Sequence, residues 1–276
     1  MLLRFTKMHG LGNDFIVFDG VSQDVKLNSD QIQKLADRHF GIGCDQVLLV
    51  EPPAEPGVDF NYRIFNRDGG EVEQCGNGIR CFAKFVTDKK LCGKNTIRVS
   101  TMSGIAEVSM RGGKLVRVNM GVPEFAPERI PLNRDSEAAR YTVTSELGEH
   151  QLSVVSMGNP HCVLEVDDTE TANVEAIGPA LESHADFPER VNVGFMQVLS
   201  SNSINLRVYE RGVGETRACG TGACAAVVAG RRNDLLDDTV EVNLPGGKLT
   251  IEWKGNDQPV YMTGSASKVF EGKVRL

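Results

Sequence analysis

Cys75 and Cys219 each open the pattern Cys-Gly-x-Gly at the head of an apolar run, and each follows a Gly-containing loop. A cysteine at a helix start sits at the positive end of the helix dipole, among N–H groups without intrahelical partners. Both effects favour the thiolate of a group whose unperturbed pKa is about 8.5. Flanking glycines let a substrate approach the backbone, and the open N–H groups form an anion site suited to a carboxylate. One such motif is ambiguous. Two, from related halves of a chain, can serve opposite faces of one carbon, so that one thiol removes a proton, the other returns one, and the centre inverts. A single base would have to cross the substrate plane. N–H groups aimed at an α-carboxylate would stabilise the developing carbanion, and in principle no metal or carbonyl cofactor is required. Each pass exchanges thiol and thiolate, which leaves the pair set for the reverse direction.

The two motifs belong to a duplication. The stretch NYRIFNRDGGEVEQCGNGIRC (61–81) has a partner in NLRVYERGVGETRACGTGAC (205–224). A shift of 144 positions aligns Asn61, Arg63, Arg67, Gly70, Glu71, Cys75, Gly76 and Gly78 with identical residues. Unrelated sequence would give about one identity over such a stretch, so the match is a repeat signature. Further along, Thr96, Val99 and Gly104 recur as Thr239, Val242 and Gly247. Nearly a whole domain is therefore repeated.

The elements that must carry the motifs are legible from hydrophobic period. Residues 2–8 and 15–18 read as strands around the turn HGLGND. Asn28 and Gln31 stand at capping-box spacing before an apolar face of Ile32, Leu35, Ala36 and Phe40, with Gly41 as the stop. Strand 58–65 leads into the first Cys-Gly-x-Gly. After Cys75, Ile79, Phe82, Ala83 and Val86 fall at helical spacing. Runs 96–100, 104–110 and 115–120 are strand-like, and the pattern breaks around Gly121-Val122-Pro123. The second half repeats the order, with SMGNPHCVLEV, RVNVGFMQV and residues 204–211 in the roles of the earlier strands. ACAAVVA (223–229) is apolar on every side and must be surrounded by protein. The expected fold is α+β: two pseudo-symmetric domains, 1–120 and 121–266, each a sheet wrapped around a central helix, with the active site in the cleft between them. Strand 267–276 has no slot in the second domain and is expected to return to the first.

Composition narrows the function classes. A net charge of −7 argues against nucleic acid as a partner, and no window reaches the apolar length of a membrane span. The N-terminus has no apolar core of signal-peptide length. Seven cysteines do not read as a secreted disulfide framework, so the chain is expected in the cytoplasm with reduced thiols. Spacings of C-x₅-C and C-x₄-C do not match short zinc-ligand pairs.

The motifs HGLGNDF (9–15), DGGEVEQCGNGIRC (68–81), VSMGNPHC (155–162), YERGVGET (209–216) and ACGTGAC (218–224) resemble those of the diaminopimelate epimerases, in that family's order and over the whole chain. The proline racemases share the duplicated architecture, but their motifs usually read Met-Cys-Gly-His and Ser-Pro-Cys-Gly-Thr. The resemblance implies cofactor-independent conversion of L,L- to meso-diaminopimelate, in lysine and cell-wall precursor biosynthesis. It implies Cys219 as proton acceptor and Cys75 as donor in that direction, with His161 and Glu210 setting the thiols' protonation. It implies substrate contacts by Asn13, Gln46, Asn66, Gly76, Asn77, Asn159, Asn192, Glu210, Arg211, Gly220 and Thr221. Such a set suits a diamino dicarboxylic acid: Arg211 and Glu210 complement a distal carboxylate and ammonium while neutral amides orient them. A homodimer is also implied; Phe270 stands where many members carry a tyrosine at the dimer contact. Arg67 and Gly70 replace the family's usual small residue and serine.

Simpler roles cover the remaining candidates. Cys44, Cys81, Cys92, Cys162 and Cys224 read as structural thiols, and His9, His39, His150 and His184 as structural or solvent-facing. Competing functions are a proline or hydroxyproline racemase, a thiol redox protein pairing Cys75 with Cys219, and a non-catalytic amino-acid-binding module. α-Hydrogen exchange in deuterated water separates them.

Overall fold

The computed structural model describes residues 2–72 and 76–276. By contact density the chain forms two compact units, Met1–Val118 with Thr263–Leu276, and Asn119–Met262. The first carries β1 (Leu2–Gly10), β2 (Asn13–Asp19), α1 (Ser29–Ala36), β3 (Gln46–Glu51), β4 (Phe60–Asn66), β5 (Glu71–Val72), α2 (Gly76–Asp88), β6 (Thr96–Thr101), β7 (Gly104–Met110) and β8 (Leu115–Asn119). The second carries β9 (Tyr141–Ser145), β10 (Gly148–Ser156), β11 (Pro160–Glu165), α3 (Val174–Glu182), β12 (Asn192–Ser200), β13 (Ser203–Glu210), β14 (Gly214–Thr216), α4 (Gly220–Arg232), β15 (Thr239–Leu244) and β16 (Gly247–Glu252). β17 (Tyr261–Ser265) leads back to β18 (Ser267–Arg275) in the first unit.

The duplication is visible in the ladders. β1–β2 is antiparallel, β2–β3 parallel, β3–β4 antiparallel and β4–β6 parallel. The second unit repeats these pairings as β10–β11, β11–β12, β12–β13 and β13–β15. β9 pairs antiparallel with β10, and β18 pairs antiparallel with β1 along its whole length. The last strand thus fills in the first unit the slot that β9 fills in the second.

A central helix runs through each unit. α2 packs on β1, β2, β3, β7 and β18, and α4 on β10, β11, β12, β13 and β16. In α4 the residues from Gly222 to Gly230 are all buried, as an all-round apolar helix requires. Gly230 admits this packing, since a Cβ there would lie 2.4 Å from the Leu236 side chain.

Two sequence expectations need adjustment. The capping box of α1 forms: Asn28 accepts from the Gln31 N–H (2.9 Å) and Gln31 from the Asn28 N–H (3.0 Å). Ile32, Leu35 and Ala36 are buried, but the helix stops at Ala36 and Phe40 is 88% exposed. The cause is Asp37, whose side chain accepts the His39 and Phe40 N–H groups and draws the chain out of the helix. α3 has no counterpart in the expected element order, because Gly178-Pro179 inside it reads as a break. The glycine is required by packing, since a Cβ would lie 2.7 Å from the Tyr209 ring.

Candidate active site

Cys219 is the N-cap of α4. Its backbone is extended, and its sulfur accepts the Gly222 N–H at 3.3 Å, with the Thr221 hydroxyl 3.6 Å away. The helix start therefore supplies the expected N–H group. It does not supply a low pKa: burial pushes the thiol well up, and the charge of Glu210 pushes it further, against the smaller pull of Thr221 and Gly222. This corrects the expectation of a thiolate favoured by position alone. With Cys219 only 4% exposed, desolvation outweighs the helix terminus.

Glu210, the last residue of β13, stands close enough to Cys219 for its charge to push the thiol up, and burial raises its own pKa. Its Oε1 also accepts the Thr216 hydroxyl. The β13–β14 hairpin makes this contact, pairing Glu210 with Gly214 and Val208 with Thr216. The two groups can hold one proton between them, on sulfur or on carboxyl, at constant charge. Such a pair can present sulfur either as a base or as an acid.

The remaining candidates of the second unit lie on adjoining strand ends. His161 of β11 stands opposite Asn192 of β12. Asn192 donates to the Pro160 carbonyl (2.8 Å) and accepts the Arg211 N–H (3.0 Å), tying β11, β12 and the end of β13 together. The His161 ring, 1% exposed, has its Nε2 3.0 Å from Asn159 Oδ1. Burial, and then the nearby Arg211 charge, lower its pKa to about 3, so the ring is neutral at any working pH. Arg211 itself donates to the Glu189 carbonyl at 3.0 Å. Gly220 and Thr221 form the first turn of α4. The structure thus brings together Asn159, His161, Asn192, Glu210, Arg211, Cys219, Gly220 and Thr221.

In the first unit Gln46 donates to Asn66 across β3 and β4 (2.8 Å), and Asn77 in the first turn of α2 donates to Asn13 (3.3 Å). Gly76 begins α2. Cys75 lies outside the described residues.

Sequence reasoning passed over several residues that hold these groups. Thr216 fixes Glu210, and Asp45 accepts from Asn13 at 3.0 Å. Buried Glu182 accepts the Gly212 N–H at 2.9 Å and so holds the loop after Arg211. Arg80, fully buried, donates to Asn77 at 2.8 Å. A charged residue inside the apolar helix of a Cys-Gly-Asn-Gly motif is the signal that marks Arg80. Glu182 carries none.

Comparison with known proteins places the chain. The diaminopimelate epimerase family model matches residues 5–126 and 153–269. Curated diaminopimelate epimerases of Ectopseudomonas mendocina and Chromobacterium violaceum are each 56% identical over 276 residues, covering all of both chains. Among solved structures, a hydroxyproline epimerase from Agrobacterium vitis matches with TM-score 0.70 at 15% identity, covering 99% of this chain and 92% of the other. An Enterococcus faecalis protein of the PhzF phenazine-biosynthesis family matches with TM-score 0.69 at 18% identity, over the whole of both chains. Those two likenesses show the fold: the duplicated two-unit architecture.

Proposed function

The chain belongs to the diaminopimelate epimerase family, and on that footing we propose that it interconverts L,L- and meso-diaminopimelate by proton transfer at one α-carbon, as an isomerase of lysine and cell-wall precursor biosynthesis. In the L,L-to-meso direction Cys219 takes the α-proton while Cys75 gives its thiol proton to the opposite face. The products of the step are a Cys219 thiol, a Cys75 thiolate and an inverted centre, so charge and protons balance. Glu210 sets the proton on Cys219. Neutral His161 helps to set the thiols' protonation, the amides of Asn13, Gln46, Asn66, Asn77, Asn159 and Asn192 hold polar groups of the substrate, and Arg211 faces a carboxylate. The N–H groups that open α2 and α4 stabilise the carbanion-like transition state, each donor of this kind contributing roughly 3–4 kcal/mol.

The observation that carries this reading is the Cys219–Glu210 pair at the first turn of α4, in a chain whose other half repeats the same motif around Cys75. A buried thiol with a buried carboxylate beside it is suited to moving protons. A single-motif binding module has no use for it. Two ancillary readings go with the proposal. The need for reduced thiols favours a cytoplasmic setting; as a separate fact, among the described residues no helix is long and apolar enough to cross a membrane. Exposed Val269 and Phe270 on β18 favour a homodimer.

The test is incubation of pure L,L- or meso-diaminopimelate with the protein in deuterated water. Each should gain deuterium at the α-carbon and convert to the other. Absence of exchange with both epimers, in protein with reduced thiols, would overturn the proposal.

A further inference from the structure

Asn13 and Asn77 sit in a chain of hydrogen bonds that has a charge of opposite sign at each end. At one end the Asp45 carboxylate accepts from Asn13 Nδ2 at 3.0 Å. Asn13 Oδ1 accepts from Asn77 Nδ2 at 3.3 Å, and Asn77 Oδ1 accepts from Arg80 Nη2 at 2.8 Å. The sense of every link is the same. A carboxylate only accepts and a guanidinium only donates, whereas a side-chain amide does both and can be turned end for end. Anchored in this way, each amide has one orientation that satisfies both of its neighbours: nitrogen towards Asp45, oxygen towards Arg80.

Both anchors are themselves held. Arg80 is fully buried, the largest such side chain among the described residues, and also donates to the Gly76 carbonyl (3.1 Å) and the Ser265 carbonyl (3.3 Å). Its guanidinium lies against Gly10, where a Cβ would stand 3.2 Å from Nη2. Asp45 accepts the Asp14 N–H at 3.0 Å and Arg38 Nη2 at 2.7 Å. Asp14 is paired with Lys7 at 2.6 Å and with Arg38 at 2.7 Å, which ties the acidic end to α1's neighbouring loop.

We propose that Arg80 and Asp45 are positioning residues, whose opposite charges fix the donor and acceptor sense of Asn77 and Asn13 for the substrate. The inference rests on the reading above, in which these two amides meet diaminopimelate. A substrate with carboxylate and ammonium groups distinguishes an amide oxygen from an amide nitrogen, so a turned amide changes an attraction into a repulsion. The effect belongs to binding: the substrate and the transition state carry the same polar groups towards these amides, so KM responds and kcat does not.

The experiment uses the full chain and the variants Asp45→Asn, Arg80→Gln and their combination. Asp45 lies at the surface end of the relay, and replacement by asparagine keeps its shape while removing the obligatory acceptor. Asp45→Asn should raise KM for diaminopimelate about 3- to 10-fold, the factor one hydrogen bond carries, with kcat within about threefold. Arg80→Gln, which replaces an obligatory donor by an amide that can also accept, should act in the same direction. The double variant should cost less than the product of the single effects, because a relay with one free end has already lost its sense. An unchanged KM in folded Asp45→Asn, or effects that multiply, would overturn the relay. A second readout is independent of turnover. In protein labelled with ¹⁵N-asparagine, Asp45→Asn should move the side-chain NH₂ resonances of both Asn13 and Asn77, and confinement of the change to Asn13 would also overturn it. Should the unmodified chain fail to epimerise diaminopimelate, the functional reading falls, and the resonance experiment still decides whether the relay exists.

Discussion

The same triplet of strand positions occurs in both units with different chemistry. In the first, Phe15, Gln46 and Asn66 are aligned across β2, β3 and β4. In the second, His161 pairs with Asn192, and the Val193–Tyr209 partnership sets Asn192 level with Glu210. Asn13 and Asn159 precede these rows by two residues, and Arg67 and Arg211 follow them by one. Phe15 and Asn66, which do not titrate, thus stand where His161 and Glu210 stand in the second unit. Duplication supplied two scaffolds of equal shape, and both titratable auxiliaries reside in the second. The first unit places its own charges behind its amides, in the Asp45 and Arg80 relay. A two-base reaction needs symmetric placement of the bases. The groups that adjust their protons need not be symmetric.

That difference can be broken most forcefully at Glu210. Glu210→Gln removes the buried carboxylate beside Cys219, and kcat should fall by roughly 10²–10⁴, the usual range for a lost acid–base group. Its register counterpart tests the contrast: Asn66→Ala should raise KM about tenfold with little change in kcat. Equal kcat losses in the two variants would mean that the halves are not divided in this way.

Thr216 sharpens the same point. Its hydroxyl lowers the Glu210 pKa against the upward push of burial. In Thr216→Val that restraint is gone, so the Glu210 carboxyl should titrate higher and the acidic limb of kcat/KM should move to higher pH. Activity at neutral pH should fall and recover on the alkaline side, and Thr216→Ser should restore the original profile. A uniform loss at all pH values would make Thr216 merely structural.

The smallest effect concerns His161 and stability. The folded pKa of about 3 lies below the ordinary 6.5, so between those values the unfolded chain binds a proton that the folded one does not. Stability from this group is therefore present above about pH 6.5 and is lost as pH falls, by up to roughly 1.4 kcal/mol per pH unit. Urea unfolding at pH 5 and pH 7 should show a gentler acid loss for His161→Gln than for the parent. Parallel curves would show that the ring is charged in the fold.

Much of this scaffold is legible in the chain because it rests on local chemistry. The Asn28–Gln31 box and the all-round apolar ACAAVVA each announce themselves within one short window, and the 144-residue echo in the match of two. α2 and α4 begin at Gly76 and Gly220, at the same interval as the motifs. What escaped depends on partners that hydrophobic period does not reveal. Phe40 keeps helical period but is diverted by the Asp37 side chain, and α3 forms through the fit of Gly178 beneath Tyr209. The state of Cys219 escaped for a related reason. A helix terminus is visible in a motif, but the burial and the Glu210 carboxylate that oppose it arrive from other strands. Thr216 and Asp45 matter only through the side chains they orient, and no spacing rule marks such a role.

The central claim is that each thiol serves one face of the α-carbon, and isotope exchange in single-cysteine variants tests it most directly. Epimerisation should fall by several orders of magnitude in both Cys75→Ala and Cys219→Ala, since turnover needs both proton transfers. Residual exchange should divide by stereochemistry, read as deuterium incorporation into each pure epimer before inversion accumulates. Cys219→Ala retains Cys75 and should label only the D-centre of meso-diaminopimelate, while Cys75→Ala should label only the L,L epimer. Labelling of both epimers at equal rates by either variant would show that one base reaches both faces, and the two-thiol account would be wrong.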